Sequence, residues 1–573
     1  MLQSEIDKQQ RCRGAIGSFR LCLAAFFVLL AACATSHKMD PDRTSGKIVA
    51  TAQKSDRGTH LLHTPDGVRE RSSCALDAFN DMASSQMQEA QSAAVRATAC
   101  TRAWLSSVLK GRTQWAPGLM EDGGVAVEVV LRDVSPNLAT SFQIIPSDLV
   151  PMGMYWGARK TKSGFGVPVV LMSPRCRDRP ACKLLPPSGV ARTATAWLEP
   201  APGGGSPRLV LGHPIRTRGV YTGYNYWPLA EDSSAFYAAA LADSPIRRLS
   251  IWNLLGGREM GRRAGVYLLE DYDPNKRTLV MIHGLGSSPV TWARLSNAIW
   301  ADPILRANYQ VWQVVYETNE PILVGRHRVE RHLDAAWEML DPPGTSAARR
   351  NIVLLGHSMG GAISRLLMID SKDEVWSAAF AKPVSALAGS SNDLRALEGM
   401  FRFAPYPGVR RGIFLAAPHQ GSPTAGSFVG RTVNRLVGRR SPELTSLRRV
   451  AAENESAVPP SLRSHFLEDN INSISTLRGD QPVMAAARAL TIPCGTAFHT
   501  IAGRRPGKSP PGDGIVPLES AILPGAASTL VIEAGHNVHE YDEAIAEVIR
   551  ILHEDMSSGS QPRCDTTVAG DTD

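Results

Sequence analysis

The chain has 573 residues, 43% hydrophobic and 20% charged, with 62 Lys and Arg against 54 Asp and Glu. That length exceeds what one core usually holds, so two or three domains are expected, and the composition excludes a chain disordered along most of its length. The formal charge of +8 comes partly from the first twenty residues, and no dense basic stripe with interleaved aromatics occurs, which argues against a nucleic-acid partner.

Arg11, Arg13 and Arg20 precede the apolar run Leu21 to Ala32, which has the length of a signal-peptide core and is short for a membrane span. The run ends in Leu30-Ala31-Ala32-Cys33, which resembles the lipobox of bacterial lipoproteins. The resemblance implies a signal over 1–32 and acyl chains on Cys33 that tether rather than span. Ala34 in place of an aspartate then favours the outer membrane, facing the periplasm or the cell surface. An ordinary secretory signal with an incidental cysteine is the alternative. Residues 33–65 are polar and suit a flexible tether. With Cys12 and Cys22 lost with the signal and Cys33 acylated, six of the 9 cysteines remain. Proximity pairs them as Cys74 with Cys100, Cys176 with Cys182 and Cys494 with Cys564, although six cysteines allow about fifteen pairings. No C-x-x-C or Cys/His cluster points to a metal.

Residues 66–250 read as an accessory module. Cys74 to Leu109 has helical spacing broken once, predicting two helices. From about 124 to 245, β-branched runs such as "VAVEVVLRDV", "GVPVVLMS", "TATAWLEP" and "RLVLGHPI" alternate with turn-formers such as "PGGGSP". These predict a small antiparallel β-domain.

From about 265 to 555 the rhythm becomes strand, loop, helix. "RTLVMIHG", "YQVWQVVY", "NIVLLG", "RRGIFLAAP", "FHTIAG" and "STLVIEAG" are continuous apolar runs, as strands buried on both faces should be. Helical patterns separate several of them, and "EYDEAIAEVIRILHE" closes the series. The pattern predicts an α/β fold with a mostly parallel sheet and helices on both faces. Insertions near 371–410 and 424–490 interrupt it. Met400, Phe401, Phe403 and Tyr406 in the first would line a cap or pack on the core. Residues 556–573 form a polar tail.

Gly356-His357-Ser358-Met359-Gly360 is a G-x-S-x-G pentapeptide between a strand and a helix. Such a joint is too tight for side chains beside the serine, and it lifts the hydroxyl above the carboxyl end of the sheet. Ser358 is thus a candidate nucleophile. Asp513 in "GDGIVPLES" lies beyond the next-to-last strand, and His536 follows the last one, which completes the order Ser, Asp, His. The imidazole would take and return the serine proton, and the carboxylate would fix its tautomer. His539 is the rival base; His357, beside the serine, should point away from Oγ, and His419 is a weaker choice.

"HGLGSSPVTW", "GHSMGG", "FLAAPHQGSP", "DGIVP" and "GHNVHEYDEAI" together resemble the α/β-hydrolase superfamily, in the branch of bacterial lipases and GPI-inositol-deacylase-like proteins. The resemblance covers about half of the chain. It implies an oxyanion hole from the backbone N–H groups of Leu285, after His283-Gly284, and Met359, with His283 propping the loop. It implies hydrolysis of carboxylic esters, lipid or other acyl esters among them, without cofactor or metal. A lipase or esterase beside a membrane is expected. An acyltransferase, an amidase or peptidase, and a non-catalytic envelope lipoprotein are the alternatives. The sequence names no partner for the N-terminal module.

Overall fold

The computed structural model describes residues 65–122, 125–134, 141–153, 156–242, 263–422, 441–467 and 482–557. Residues 1–64, on which the expected signal, Cys33 and the expected tether fall, and residues 558–573 with Cys564 lie outside the described residues.

Two helices open the described chain, α1 (Pro65–Asp81) and α2 (Met87–Gly111). On α2 the buried positions Ala90, Ala93, Ala94, Ala97, Thr101, Trp104, Leu105 and Val108 recur at three- and four-residue spacing, so one apolar stripe faces inward. The Cys74–Cys100 disulfide joins the helices, with Cα atoms 5.9 Å apart. They cover one face of a six-stranded sheet of order β1-β2-β7-β6-β5-β3. Its strands are β1 (Gly118–Asp122), β2 (Val125–Arg132), β3 (Gln143–Pro146), β5 (Val167–Ser173), β6 (Val190–Glu199) and β7 (Arg208–Gly212). Two short ribbons flank it, β4 (Thr161–Lys162) with β10 (Glu231–Asp232), and β8 (Gly219–Thr222) with β9 (Asn225–Pro228). The sheet is not purely antiparallel as expected: β2 and β7 run parallel. Those strands are separated by β3, β5 and β6 in sequence, so their pairing is a long-range choice that no local turn chemistry encodes. A second disulfide, Cys176–Cys182, closes the turn after β5. Asp178 lies beside it, but sulfurs bonded to each other offer no thiolate to a metal. Cys494 is also half of a disulfide.

The other face of the six-stranded sheet carries α3 (Ala235–Ala242), and this helix joins the two halves of the protein. Phe236 and Tyr237 pack in T-shaped and tilted contacts on Trp300, at 5.1 and 4.8 Å between ring centroids. They share one core with Leu279, Met281 and Trp292 of the second half. Polar clamps reinforce the junction. Asn297 Nδ2 donates to the carbonyls of Trp156 and Ala158 at 2.9 and 3.0 Å, and Arg192 grips Asp271 with two bonds of 2.9 Å. Burying aromatic rings on both sides makes the N-terminal module part of the same hydrophobic unit as the second half.

The second half is built on a seven-stranded sheet of order β11-β13-β12-β14-β15-β16-β17. The strands are β11 (Gly265–Leu268), β12 (Arg277–Ile282), β13 (Tyr309–Val315), β14 (Ile352–His357), β15 (Val409–Leu415), β16 (Ala497–Gly503) and β17 (Ser528–Ile532). Only β11 is antiparallel to its neighbour. Every residue of β13, β14 and β16 is buried, which is why these segments read as unbroken apolar runs. Helices α4 (Ala293–Ala301), α5 (Pro303–Asn308), α6 (Ile322–Leu340), α7 (Met359–Leu366) and α15 (Asp542–Ser557) belong to this half. So do α8 (Glu374–Ala379), α9 (Ser391–Phe401), α10 (Pro442–Glu453), α11 (Pro460–Leu467), α12 (Pro482–Ala489), and the short α13 (Ala347–Arg350) and α14 (Leu518–Ala521). The strand order, with a serine at the joint of β14 and α7, is that of the α/β-hydrolase fold.

Residues 371–410 pack as a helical layer. Met400, Phe401, Phe403 and Tyr406 are all buried. Phe401 meets Trp376, Phe380 and Phe466, the Arg326 guanidinium lies 4.1 Å above the Phe403 ring, and the Tyr406 hydroxyl donates to Asp334 at 2.9 Å. Of the two roles open to these residues, core packing accounts for these contacts.

Candidate active site

Register brings the carboxyl ends of the strands level. Ile282 pairs with Gly356, His357 with Leu415, and Gly503 with Ile532. The loops that follow therefore leave from one edge of the sheet, and these loops carry Leu285, Ser358, Asp513 and His536.

Ser358 has φ 55° and ψ −125°, a backbone conformation that costs a non-glycine residue on the order of 1–3 kcal/mol and persists only where packing dictates it. The neighbouring glycines show why. A Cβ on Gly356 would lie 2.4 Å from the Gly360 carbonyl oxygen, and one on Gly360 would lie 2.0 Å from that of Ile282. Strand and helix can meet at this angle only without those side chains. The turn points Ser358 Oγ at the loop after β17. His536 Nε2 lies 2.8 Å from Oγ, and His536 Nδ1 lies 2.7 Å from Asp513 Oδ2. Ser358 and His536 are half-buried, while Asp513 is buried. Burial alone would raise the Asp513 pKa. The hydrogen bond from His536 and those to Oδ1 from the N–H groups of Val516 and Ile515, each 2.7 Å, outweigh it and hold the carboxyl below its usual range. Gly503 gives the loops room: a Cβ there would meet Gly535 O at 2.8 Å and Asp513 Cβ at 3.0 Å.

The loop after β12 lies against the serine, since a Cβ on Gly284 would sit 2.9 Å from Ser358 Cβ. That loop is pinned on both sides of Leu285. Tyr316 donates to His283 O at 2.7 Å, Ser287 N donates to Gly284 O at 3.2 Å, and Gly286 N donates to Thr318 Oγ1 at 3.0 Å. Among the described residues, the backbone N–H groups of Leu285 and Met359 donate to no acceptor. Both belong to segments that touch Ser358, and Met359 also opens α7, where helix N–H groups are unpaired.

Three other histidines lie close by and differ from His536 in being fully enclosed. His283 stacks on Tyr316 with centroids 4.8 Å apart, and burial pulls its pKa down to about 4. His539 is 1% exposed, sits 2.7 Å from Thr291 Oγ1 and packs on Trp292; burial, then the His536 ring, brings its pKa down to about 3. It makes no bond to Ser358. His357 makes no hydrogen bond to Ser358 Oγ, yet it is not idle. Its Nε2 donates to the His536 carbonyl at 2.9 Å, and its Nδ1 faces Gly284, whose Cβ would stand 3.3 Å away. Burial and the rings of His539 and His536 hold His357 neutral, well below its usual pKa. This ring therefore braces the His536 loop through its carbonyl. Sequence reasoning missed that function, and the one available signal was the position of the histidine next to the serine. Arg505 was missed as well: its guanidinium lies against Gly514 and Gly535, and its backbone N–H donates to Gly512 O at 2.8 Å. His419, the remaining rival, is buried beside a small cleft next to α7, and neither ring nitrogen has a partner among the described residues.

No protein-family model matches this chain, and no curated protein does. Solved structures similar to it include the mature lipase BlEst2 of Bacillus licheniformis, at 15% identity and TM-score 0.27, covering 50% of this chain and 97% of that one. Esterase B of Lactobacillus rhamnosis is 12% identical at TM-score 0.27, covering 50% of this chain and 78% of its own. Lipase 1 of Pelosinus fermentans is 11% identical at TM-score 0.29, covering 49% and 98%.

Proposed function

We propose that this protein is a serine hydrolase of carboxylic esters, with Ser358 as nucleophile, His536 as general base and Asp513 as its orienting carboxylate. The observation that carries the reading is the unbroken series of 2.8 and 2.7 Å contacts from Ser358 Oγ through His536 to Asp513. In this reading Oγ attacks the acyl carbonyl as Nε2 takes its proton. The N–H groups of Leu285 and Met359 hold the oxyanion, each worth roughly 3 kcal/mol of transition-state stabilisation. His536 then returns the proton to the departing alcohol, and water, activated by the same ring, releases the acid from Ser358. Ser358 is half-buried rather than enclosed, as a nucleophile that meets a substrate has to be.

An anchor on Cys33 and residence at the outer membrane belong to the same proposal and rest on Leu30-Ala31-Ala32-Cys33. Lipid or other acyl esters within reach of that membrane are the substrates it favours. The test is turnover of p-nitrophenyl acyl esters of graded chain length beside matched anilides. Esters should be cleaved, and the Ser358→Ala protein should be folded and inactive. Undiminished ester cleavage by that variant would refute the assignment.

A further inference from the structure

A cavity of about 560 Å³ lies between the N-terminal module and the second half of the protein, at the end of the seven-stranded sheet away from Ser358. Lys276, just before β12, lines it, while the loop after β12 lies on the serine. Six residues of strand separate the two, which sets them roughly 20 Å apart. The volume is within the range of small-molecule sites, which favour junctions of this kind.

Some donors of the lining have no acceptor among the described residues. The carboxylates present are engaged: Asp271 lies in the Arg192 fork, and Glu270 sits 3.7 Å from Lys276. Asp273 accepts the N–H of Asn275 at 3.0 Å, and its nearest contact with Arg216 is 3.9 Å. Arg218 makes no ion pair among the described residues and reaches the cavity from an exposed position. Arg306 is 3% exposed; its Nη1 meets Glu231, while Nε and Nη2 have no partner among the described residues. That is the same edge with which Arg192 grips Asp271, and it matches the paired oxygens of a carboxylate or phosphate. His213 Nδ1 accepts the N–H groups of Ile215 and Arg216, both at 3.3 Å, which leaves the ring proton on Nε2 as another donor. Burial, then Arg306, Arg216 and Lys276, bring the His213 pKa down to about 3, a sign of how closely cations gather there. Phe236 and Ile215 add an apolar wall, with the Arg306 guanidinium 5.7 Å from the Phe236 ring.

We propose that this cavity binds a small organic anion, its phosphate or carboxylate oxygens on the arginines and its apolar body on Phe236 and Ile215. The site is independent of Ser358. Isothermal titration of the full chain with phenyl phosphate, phenylacetate, inorganic phosphate and benzyl alcohol tests it. At least one of the two aromatic anions should bind one-to-one and saturably, more tightly than inorganic phosphate, and benzyl alcohol should not bind. The anion that binds better names the headgroup. Arg218→Ala and Arg216→Ala, at exposed positions, should each weaken binding tenfold or more while melting temperature and ester turnover stay as they are. Failure of both anions to bind, or equal binding by the double variant, would overturn the site. Loss of ester turnover in Ser358→Ala with binding intact would separate the two proposals.

Discussion

The two ends of the seven-stranded sheet use polar groups in opposite ways. At the carboxyl end, Ser358, His536 and Asp513 are joined in series at 2.7 to 2.8 Å, and glycines at 356, 360 and 503 let their loops come together. At the amino end, Arg218 and Arg306 line a gap between the described parts of the two halves. Donors and acceptors at the first end form one ordered series suited to moving a proton. Donors at the second exceed acceptors among the described residues, which suits holding an anion. The contrast teaches that a strand end is not a site by itself; what the neighbouring loops satisfy or leave open decides the chemistry.

Substitution at the carboxyl end should hurt activity in a graded order, and substitution at the amino end should not. Ser358→Ala should lower kcat for an ester by about 10⁵ to 10⁶, read by steady-state kinetics on the folded variant. Asp513→Asn should cost about 10⁴, because the amide cannot hold His536 in the tautomer that accepts the serine proton. A loss under tenfold would mean that another group orients His536. His357→Phe keeps the ring volume and removes the brace on the His536 carbonyl. It should lower kcat by about 10- to 100-fold with KM nearly unchanged, the size expected from a small misplacement. A change confined to KM would remove the bracing role.

His539→Leu should change kcat least, and its effect should appear in stability. In the folded protein the His539 pKa is brought down to about 3 and the His283 pKa to about 4, against roughly 6.5 in an unfolded chain. The unfolded state then binds more protons, so stability is fully present above about pH 6.5 and is lost as pH falls toward those lower values. Melting temperature measured from pH 7 to pH 4.5 should decline, and less steeply in His539→Leu. A flat profile in the wild type would contradict the burial argument.

Much of the second half was legible because its strands are buried on both faces and separated by helical patterns. The order Ser358, Asp513, His536 was legible because each follows a strand, and the structure places all three on one edge. The N-terminal module was less so. The parallel pairing of β2 with β7 depends on contacts far apart in sequence. Helix α3 (AFYAAALA) is apolar all round, because it is enclosed between the two halves, and therefore shows no periodicity to read. His357 and Arg505 act through a carbonyl and a backbone approach, contacts that depend on where loops meet rather than on any spacing.

Covalent labelling tests the nucleophile most directly. Wild-type protein treated with a fluorophosphonate and digested should carry the added mass on the peptide containing Ser358, and Ser358→Ala should carry none. Label on any other residue, or undiminished label on the variant, would contradict the account.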